Sequence, residues 1–316
     1  MIVRFGSLAT LPEVLSEAGI ERPFLIASER WRHLELPHLS WWTEVPSDRA
    51  RVPEAADGIL AVGGGSAIDT GKAASAQADL PLVSVPTTYS GAEWTTFYGV
   101  RTPDRRIQGG GSGARPAAIL YDVDLTLDLP PVESGGTALN ALAHCAEALY
   151  VRGHNPEADA AALAGASLIA GSLPRVLAVP HDREAREELL RGAADAGRAL
   201  GLAGLALAHA MAQALGGTYG IPHGAMNALC LPPALGFNRE LVPDDVARFG
   251  AAIGADPVAG SRALARLAGF EQLRDFGVPA ADLPAVAAAA AARAGNQANP
   301  RPATPEEIEA LLISIW

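Results

Sequence analysis

A chain of 316 residues, 49% of them apolar, is long enough to bury one large core or two ordinary ones. Its 35 acidic against 24 basic residues give a formal net charge of −11, which offers no overall field for nucleic acid or an anionic membrane and sets both aside as partners. Only two cysteines occur, Cys145 and Cys230, each inside an apolar run, so neither a disulfide framework nor a CxxC metal knuckle is expected, and a reducing cytoplasm fits best.

The N-terminus lacks a long apolar signal core, and apolar stretches elsewhere are broken by Gly, Pro, His or charge before about 18 residues, so neither an address tag nor a membrane span is expected. LPEVLSEAG (11–19) has helical spacing. The runs PFLIAS (23–28), GILAV (58–62), LPLVSV (80–85) and AAILYD (117–122) are apolar on both parities and end at turn residues, as parallel strands buried on both faces do. SAIDTGKAASAQA (66–78) is again helical, and this alternation predicts a doubly wound α/β layer. After Pro130 and Pro131 the composition shifts to an Ala- and Leu-rich helical pattern, with helices expected over 136–151, 156–169, 183–199, 204–215, a short one after His223, then 257–267, 283–293 and 305–315. The predicted organisation is an α/β domain over 1–131 and an all-helical domain over 132–316, with no fixed-period repeat.

GILAV runs straight into GGGSAIDTGK (63–72), a strand, a glycine turn and a helix start. Glycines let a phosphate approach the backbone, and the free N–H groups of the following helix attract it. Two familiar fingerprints fail here. GxGxxG would need glycine where Ile68 stands, and GxxxxGK[ST] would need glycine at Ser66 and a hydroxyl at Ala73. For the turn alone, a plain strand-to-helix connection stays open. The next strand ends in VPTTYSGAEWT (85–95), placing Thr87, Thr88 and Ser90 at a neighbouring carboxyl edge, where ligands of open α/β sheets bind. Two adjacent polar strand ends suit a dinucleotide.

Of seven histidines, His33, His38, His154 and His181 stand in polar or Pro-containing context and read as surface residues. His144 in TALNALAHCAEALY (137–150), His209 in LALAHAMAQALGG (205–217) and His223 in GIPHGAMNALC (220–230) each interrupt an apolar segment, where a polar side chain without a partner is costly. Asn140 lies four residues before His144 and so on the same helix face. Singly, each histidine is most simply a satisfied core residue. Together, three imidazoles suit a catalytic Zn or Fe site, and both readings stay open on residue types alone.

The segments AVGGGSAIDTGKAAS, VPTTYSGAEWTTFYGV, AAILYDVDLTLDLP, LNALAHCAEALY, HAMAQALGGTYGIPHGAMNALCLP and NPRPATPEEIEALLISIW, taken in order, resemble the group III, or iron-containing, alcohol dehydrogenase family. Within it the chain is most similar to the maleylacetate reductases, on LNALAHCAEALY, YDVDLTLDLP and NPRP. The resemblance implies a dehydroquinate synthase-like fold: an N-terminal α/β nucleotide-binding domain, an all-α C-terminal catalytic domain and a cleft between them. It also implies NAD(H) or NADP(H), a small carboxylate or carbonyl substrate and a homodimer. By the family's motif, Gly63, Gly64, Gly65 and Ser66 would hold the pyrophosphate, with Asp69, Lys72, Thr87, Thr88 and Ser90 lining the cofactor site. Metal-dependent members bind Fe or Zn through an Asp and three His, whose places here are Asn140, His144, His209 and His223.

Several positions depart from the family pattern. Asn140 removes the anionic ligand, which agrees with the maleylacetate reductases and their metal-independent working. Gln213 stands where a further His is usual near the nicotinamide. The segment between Arg101 and Arg115 contains GGGSG and lacks a usual lysine, residues 29–57 are abbreviated, and the residue choosing NADH or NADPH is expected in or near SWWTEV (40–45). The expected reaction is reduction of maleylacetate to 3-oxoadipate, with His144, His209, His223 and Asn140 stabilising enolate-like charge and His209 or His223 donating the proton. Two alternatives remain at this point: a metal-dependent alcohol or aldehyde dehydrogenase of the same family using the three histidines as ligands, and a nucleotide-binding relative that has lost catalysis.

Overall fold

Each apolar run marked in the first part of the sequence is a strand of one parallel sheet. A computed structural model describes residues 1–101, 106–109 and 114–316, and divides into two units, Met1–Leu129 and Pro130–Trp316. The first unit contains β1 (Ile2–Phe5), α1 (Leu11–Glu17), β2 (Pro23–Ile26), β3 (Ser40–Trp42), β4 (Gly58–Gly63), α2 (Gly65–Ala78), β5 (Pro81–Pro86), β6 (Tyr98–Arg101), β7 (Arg106–Gly109) and β8 (Arg115–Tyr121). The sheet order is β1-β8-β5-β4-β2-β3 with every pairing parallel, while β6 and β7 form a separate antiparallel ribbon.

Both parities of the strands are apolar because both faces are covered. Leu25, Leu60, Val62, Val83 and Val85 join one core cluster, and Phe24, Ile26, Ile59, Ala61 and Leu82 join the other. Gly71 lets α2 lie close on the sheet, since a Cβ there would sit 2.7 Å from the Ala61 Cβ. Edge strands β1 and β3 are short and partly exposed, so they lack the apolar run that marks the central strands. The GGGSG stretch and the lysine-poor segment fall mainly on residues 102–105 and 110–113, outside the described residues.

The second unit is built from α3 (Pro131–Ala148), α4 (Pro156–Ala178), α5 (Arg183–Ala203), α6 (Leu207–Tyr219), α7 (His223–Arg239), α8 (Pro243–Ile253), α9 (Pro257–Leu267), α10 (Leu283–Ala291), α11 (Ala294–Ala298) and α12 (Pro305–Ile313). Helix α3 is buried from Ser134 to Ala148 except at Thr137, and packs against α4, α5 and α7, which explains its nearly unbroken apolar sequence. The helix after His223 is longer than expected, running 17 residues through Pro232 and Pro233. Helices α8 and α11 carry no marker in the sequence reading. Helix α4 corrects the expectation that no apolar stretch reaches spanning length: its 23 residues pass by length and composition. Its Gly and Ser residues stay helical, it carries Glu157 and Asp159 in its first turn and Arg175 in its last, and Ala162, Ile169 and Leu173 are buried in the bundle. Cys145 and Cys230 are buried free thiols.

Candidate active site

At the carboxyl edge of the sheet, β4 ends in Gly63, whose φ of +147° is open to glycine and whose added Cβ would lie 2.8 Å from that of Ala67. Gly64 is the N-cap of α2 and supplies no side-chain cap, so the first-turn N–H groups keep the character of an anion site. A Cβ on Gly64 would lie 2.9 Å from Thr88 Cγ2, and one on Gly65 would lie 3.3 Å from Ser90 Oγ. The Thr87 N–H donates to the Gly63 carbonyl at 3.0 Å, and Thr88 Oγ1 is buried with no hydrogen-bond partner. The glycine turn and the hydroxyl-rich end of β5 are therefore one surface. Gly63, Gly64, Gly65, Thr87, Thr88 and Ser90 come together there, with Ser66 exposed on the first turn of α2.

Lys72 and Asp69 are placed differently. Lys72 is 1% exposed, and its ammonium donates to Ala92 O, Thr95 Oγ1 and Phe97 O at 2.8, 3.0 and 2.6 Å while pairing with Asp69 at 2.7 Å. Asp69 also accepts from the Gly99 N–H at 3.0 Å. Together they tie the segment after Ser90 to α2, a supporting position rather than an open cationic one. Nearby, Glu93 is 2% exposed and burial pushes its carboxyl above the usual range, against a 2.6 Å hydrogen bond from Tyr121.

Two residues not singled out in the sequence join this edge from beyond β2. Arg30 donates to Thr87 Oγ1 at 3.3 Å with its guanidinium 4.4 Å over the Trp31 ring, and Trp31 Nε1 lies 3.9 Å from the Cβ position of Gly63. Arg30, Trp31 and Arg32, a few residues past the end of β2, were the available signal. Strand β3 is the edge strand and β2 separates it from β4, and Arg30 and Trp31, which follow β2, lie against Thr87 and Gly63.

In the second unit, α3 and α7 cross with their backbones in contact: a Cβ on Gly224 would lie 2.4 Å from both C and O of Gly136. One helical turn along each helix stand Asn140 and Asn227, and Asn227 Nδ2 donates to Asn140 Oδ1 at 2.7 Å. The same nitrogen is 3.0 Å from His223 Nε2. The His144 and His209 rings stack with centroids 4.7 Å apart at 17°, and His223 is tilted at 53° with its centroid 5.6 Å from that of His209. All four expected residues thus converge, Asn140, His144 and His209 buried and His223 exposed. The other four histidines are exposed, as expected.

Glu147 and Asn227 belong to this cluster although neither is singled out by the sequence reading. Glu147, fully buried, faces His209 Nδ1 across 2.6 Å. Its spacing was the available signal: Glu147 is three residues beyond His144 on α3, and Asn227 four beyond His223 on α7, which puts each on its histidine's helix face. Burial, reinforced by the neighbouring His209 and His223, holds the His144 imidazolium well below its ordinary 6.5, so this ring is neutral near pH 7. His144 Nδ1 and His209 Nε2 are buried without a hydrogen-bond partner. Gln213, one turn beyond His209 on α6, accepts from Arg293 through its side chain at 3.4 Å and through its carbonyl at 3.0 Å.

A divalent ion needs lone pairs aimed at one point. Here two of the rings lie face to face, while the Asn140 oxygen and the His223 nitrogen are both engaged by Asn227. Among the described residues no group of three or more His, Cys, Asp or Glu side chains is placed to hold a metal. As arranged, this donor set does not fit a metal centre. The unsatisfied ring nitrogens suit the polar groups of a small ligand, since each orphaned buried polar atom costs about 1–3 kcal/mol that a hydrogen bond would recover.

Residues 135–316 match the family model described as Fe-containing alcohol dehydrogenase family, C-terminal, and 49–123 match that of iron-containing alcohol dehydrogenase. A maleylacetate reductase of Sphingobium indicum is 39% identical over 259 residues, covering 81% of this chain and 73% of its own length. Maleylacetate reductase 1 of Cupriavidus pinatubonensis is 32% identical over 98% of this chain and 93% of its own. The crystal structure of maleylacetate reductase from Rhizobium sp. strain MTP-10005 superposes with a TM-score of 0.91 at 30% identity, covering 100% of this chain and 95% of that one.

Proposed function

This chain belongs to the iron-containing alcohol dehydrogenase family and is an oxidoreductase, and from that premise we propose that it reduces the conjugated C=C of a small oxo-dicarboxylate, maleylacetate to 3-oxoadipate, with NADH or NADPH. The observation that carries this reading is the Asn140–Asn227 amide pair beside a neutral His144. A metal-binding relative would place a carboxylate at residue 140; here an uncharged pair stands there and does not repel a dianion. The names of the relatives point the same way.

In this reading Gly63, Gly64, Gly65 and Ser66 hold the pyrophosphate against the α2 N-terminus, Thr87, Thr88 and Ser90 line the cofactor, and Arg30 adds a cation at the same edge. Asp69 and Lys72 keep the 92–97 segment in place. The nicotinamide, when bound, would supply the hydride for the carbon β to the ketone, with the C=C electron pair moving to give an enolate on the ketone oxygen. A proton then adds to the α carbon, so one cofactor is oxidised for each double bond reduced. His144, Asn140 and His223 meet the enolate and carboxylate oxygens, and His209 or His223, entering the step as the imidazolium, gives its proton to the α carbon and is reprotonated from water.

The test is cofactor oxidation by the purified protein with maleylacetate, followed spectroscopically with each nicotinamide. Turnover with either cofactor is expected. Absence of turnover with both overturns the substrate assignment.

A further inference from the structure

We infer that Glu147 is a positioning residue for this reduction: it holds the proton of His209 on Nδ1 and fixes the ring's rotation, so that Nε2 is the atom offered to the substrate. The inference rests on the reading that this histidine cluster meets the substrate.

Glu147 is 0% exposed, and burying a carboxylate costs several kcal/mol unless donors satisfy it. Its donors all come from the first turn of α6. The His209 ring lies 2.6 Å away through Nδ1, the His209 N–H donates at 3.2 Å, and the Ala206 N–H donates at 2.9 Å. Two of these bonds have a structural purpose. Helix α6 has no side-chain cap from its own N-cap residue, Ala206, and Glu147 caps it from α3.

The third bond is not needed for capping. A carboxylate oxygen facing Nδ1 selects the ring form that carries hydrogen there, and this leaves Nε2 as the remaining edge of His209. Nε2 is buried without a hydrogen-bond partner, and one face of the ring is stacked at 4.7 Å on His144. The ring is thus held by a carboxylate at one edge and an aromatic face on one side. Loss of a partner that orients a metal-bound imidazole typically costs about 10–100-fold in activity, and the same order is expected for this carboxylate-held ring. Glutamine is a demanding replacement, since its single carbonyl oxygen must serve three donors and its NH2 faces the others.

A double-mutant cycle separates positioning from capping. With the acceptor that the wild type reduces, Glu147→Gln is expected to lower kcat about 10–100-fold while leaving KM for the cofactor within about twofold. In a His209→Asn background the same change is expected to lower kcat by less than about threefold, because the ring it acts through is gone. The loss in thermal midpoint, which reports capping, is expected in both backgrounds. Equal falls in kcat in both backgrounds, or no fall in the first, overturn the inference. If Glu147→Gln does not fold, Glu147→Asp, which keeps the carboxylate but withdraws it by one methylene, runs the same cycle. Nitrogen-15 NMR of histidine-labelled wild type, with His209 assigned by its loss in His209→Asn, reads the ring without catalysis. A proton on Nδ1 is expected, and a ring carrying its only proton on Nε2 overturns the inference. A wild type inactive on maleylacetate but showing the Nδ1 proton overturns the substrate reading and leaves the positioning intact.

Discussion

Replacing Asn140 by Asp changes the charge of the cluster with almost no change of shape. Asn140 is 5% exposed and accepts from Asn227 Nδ2 at 2.7 Å, a bond that an aspartate oxygen keeps. The cost therefore falls on whatever anion binds beside it. At an effective dielectric of about 20, two like charges roughly 4–8 Å apart repel by about 2–4 kcal/mol. Since about 1.4 kcal/mol is a factor of ten, KM for a dicarboxylate substrate is expected to rise about 30–1,000-fold. A neutral aldehyde or ketone is expected to feel much less. The assay is steady-state cofactor oxidation at saturating nicotinamide, run on wild type and variant with both substrate classes. An unchanged KM for the dicarboxylate, or an equal rise for both classes, refutes the claim that the neutral amide serves an anionic substrate.

Gly224→Ala drives a Cβ to 2.4 Å from the Gly136 backbone; overpacking of about 1–3 kcal/mol is expected, which lowers Tm by about 2–12 °C in a unit of this size, and a calorimetric midpoint equal to wild type refutes the backbone crossing. Gly64→Ala sets a Cβ 2.9 Å from Thr88 Cγ2 inside the proposed phosphate turn, so NADH affinity, read by fluorescence titration, is expected to weaken at least about tenfold; unchanged affinity places the dinucleotide elsewhere. His144 is held well below its ordinary 6.5, so below that pH the unfolded chain binds a proton that the folded chain refuses. Its contribution to stability is complete above 6.5 and declines as pH falls through that value towards the folded-state pKa. Denaturant midpoints of wild type and His144→Gln across this range are expected to show a shallower acid decline in the variant, and parallel curves contradict the assignment.

The glycine turn was legible because its chemistry is local: a buried strand, three glycines and a helix start follow one another in the chain. The central strands were legible for a similar reason, since burial on both faces leaves no polar parity in GILAV or LPLVSV. Edge strands β1 and β3 were not, because a short strand covered on one side carries too little apolar signal. The histidines stood out as polar interruptions of apolar helices, yet their convergence depends on how α3, α6 and α7 cross, which no spacing within one helix encodes. Gly136 and Gly224 are 88 positions apart in sequence, and only the fold makes them neighbours. Long separations, 62 positions for Glu147 and His209 and 87 for Asn140 and Asn227, hid these partners as well. Lys72 shows the opposite lesson: the family's motif puts it among the residues lining the cofactor site, and only the fold shows its ammonium enclosed by Ala92 O, Thr95 Oγ1, Phe97 O and Asp69.

The most direct measurement of the central claim follows the hydride itself. Maleylacetate is reduced with nicotinamide deuterated at the transferring face of C4, and the product is analysed by NMR. One deuterium on the carbon β to the ketone of 3-oxoadipate is the predicted result. Deuterium on the former ketone carbon, giving a hydroxy acid, or no transfer of label, contradicts it.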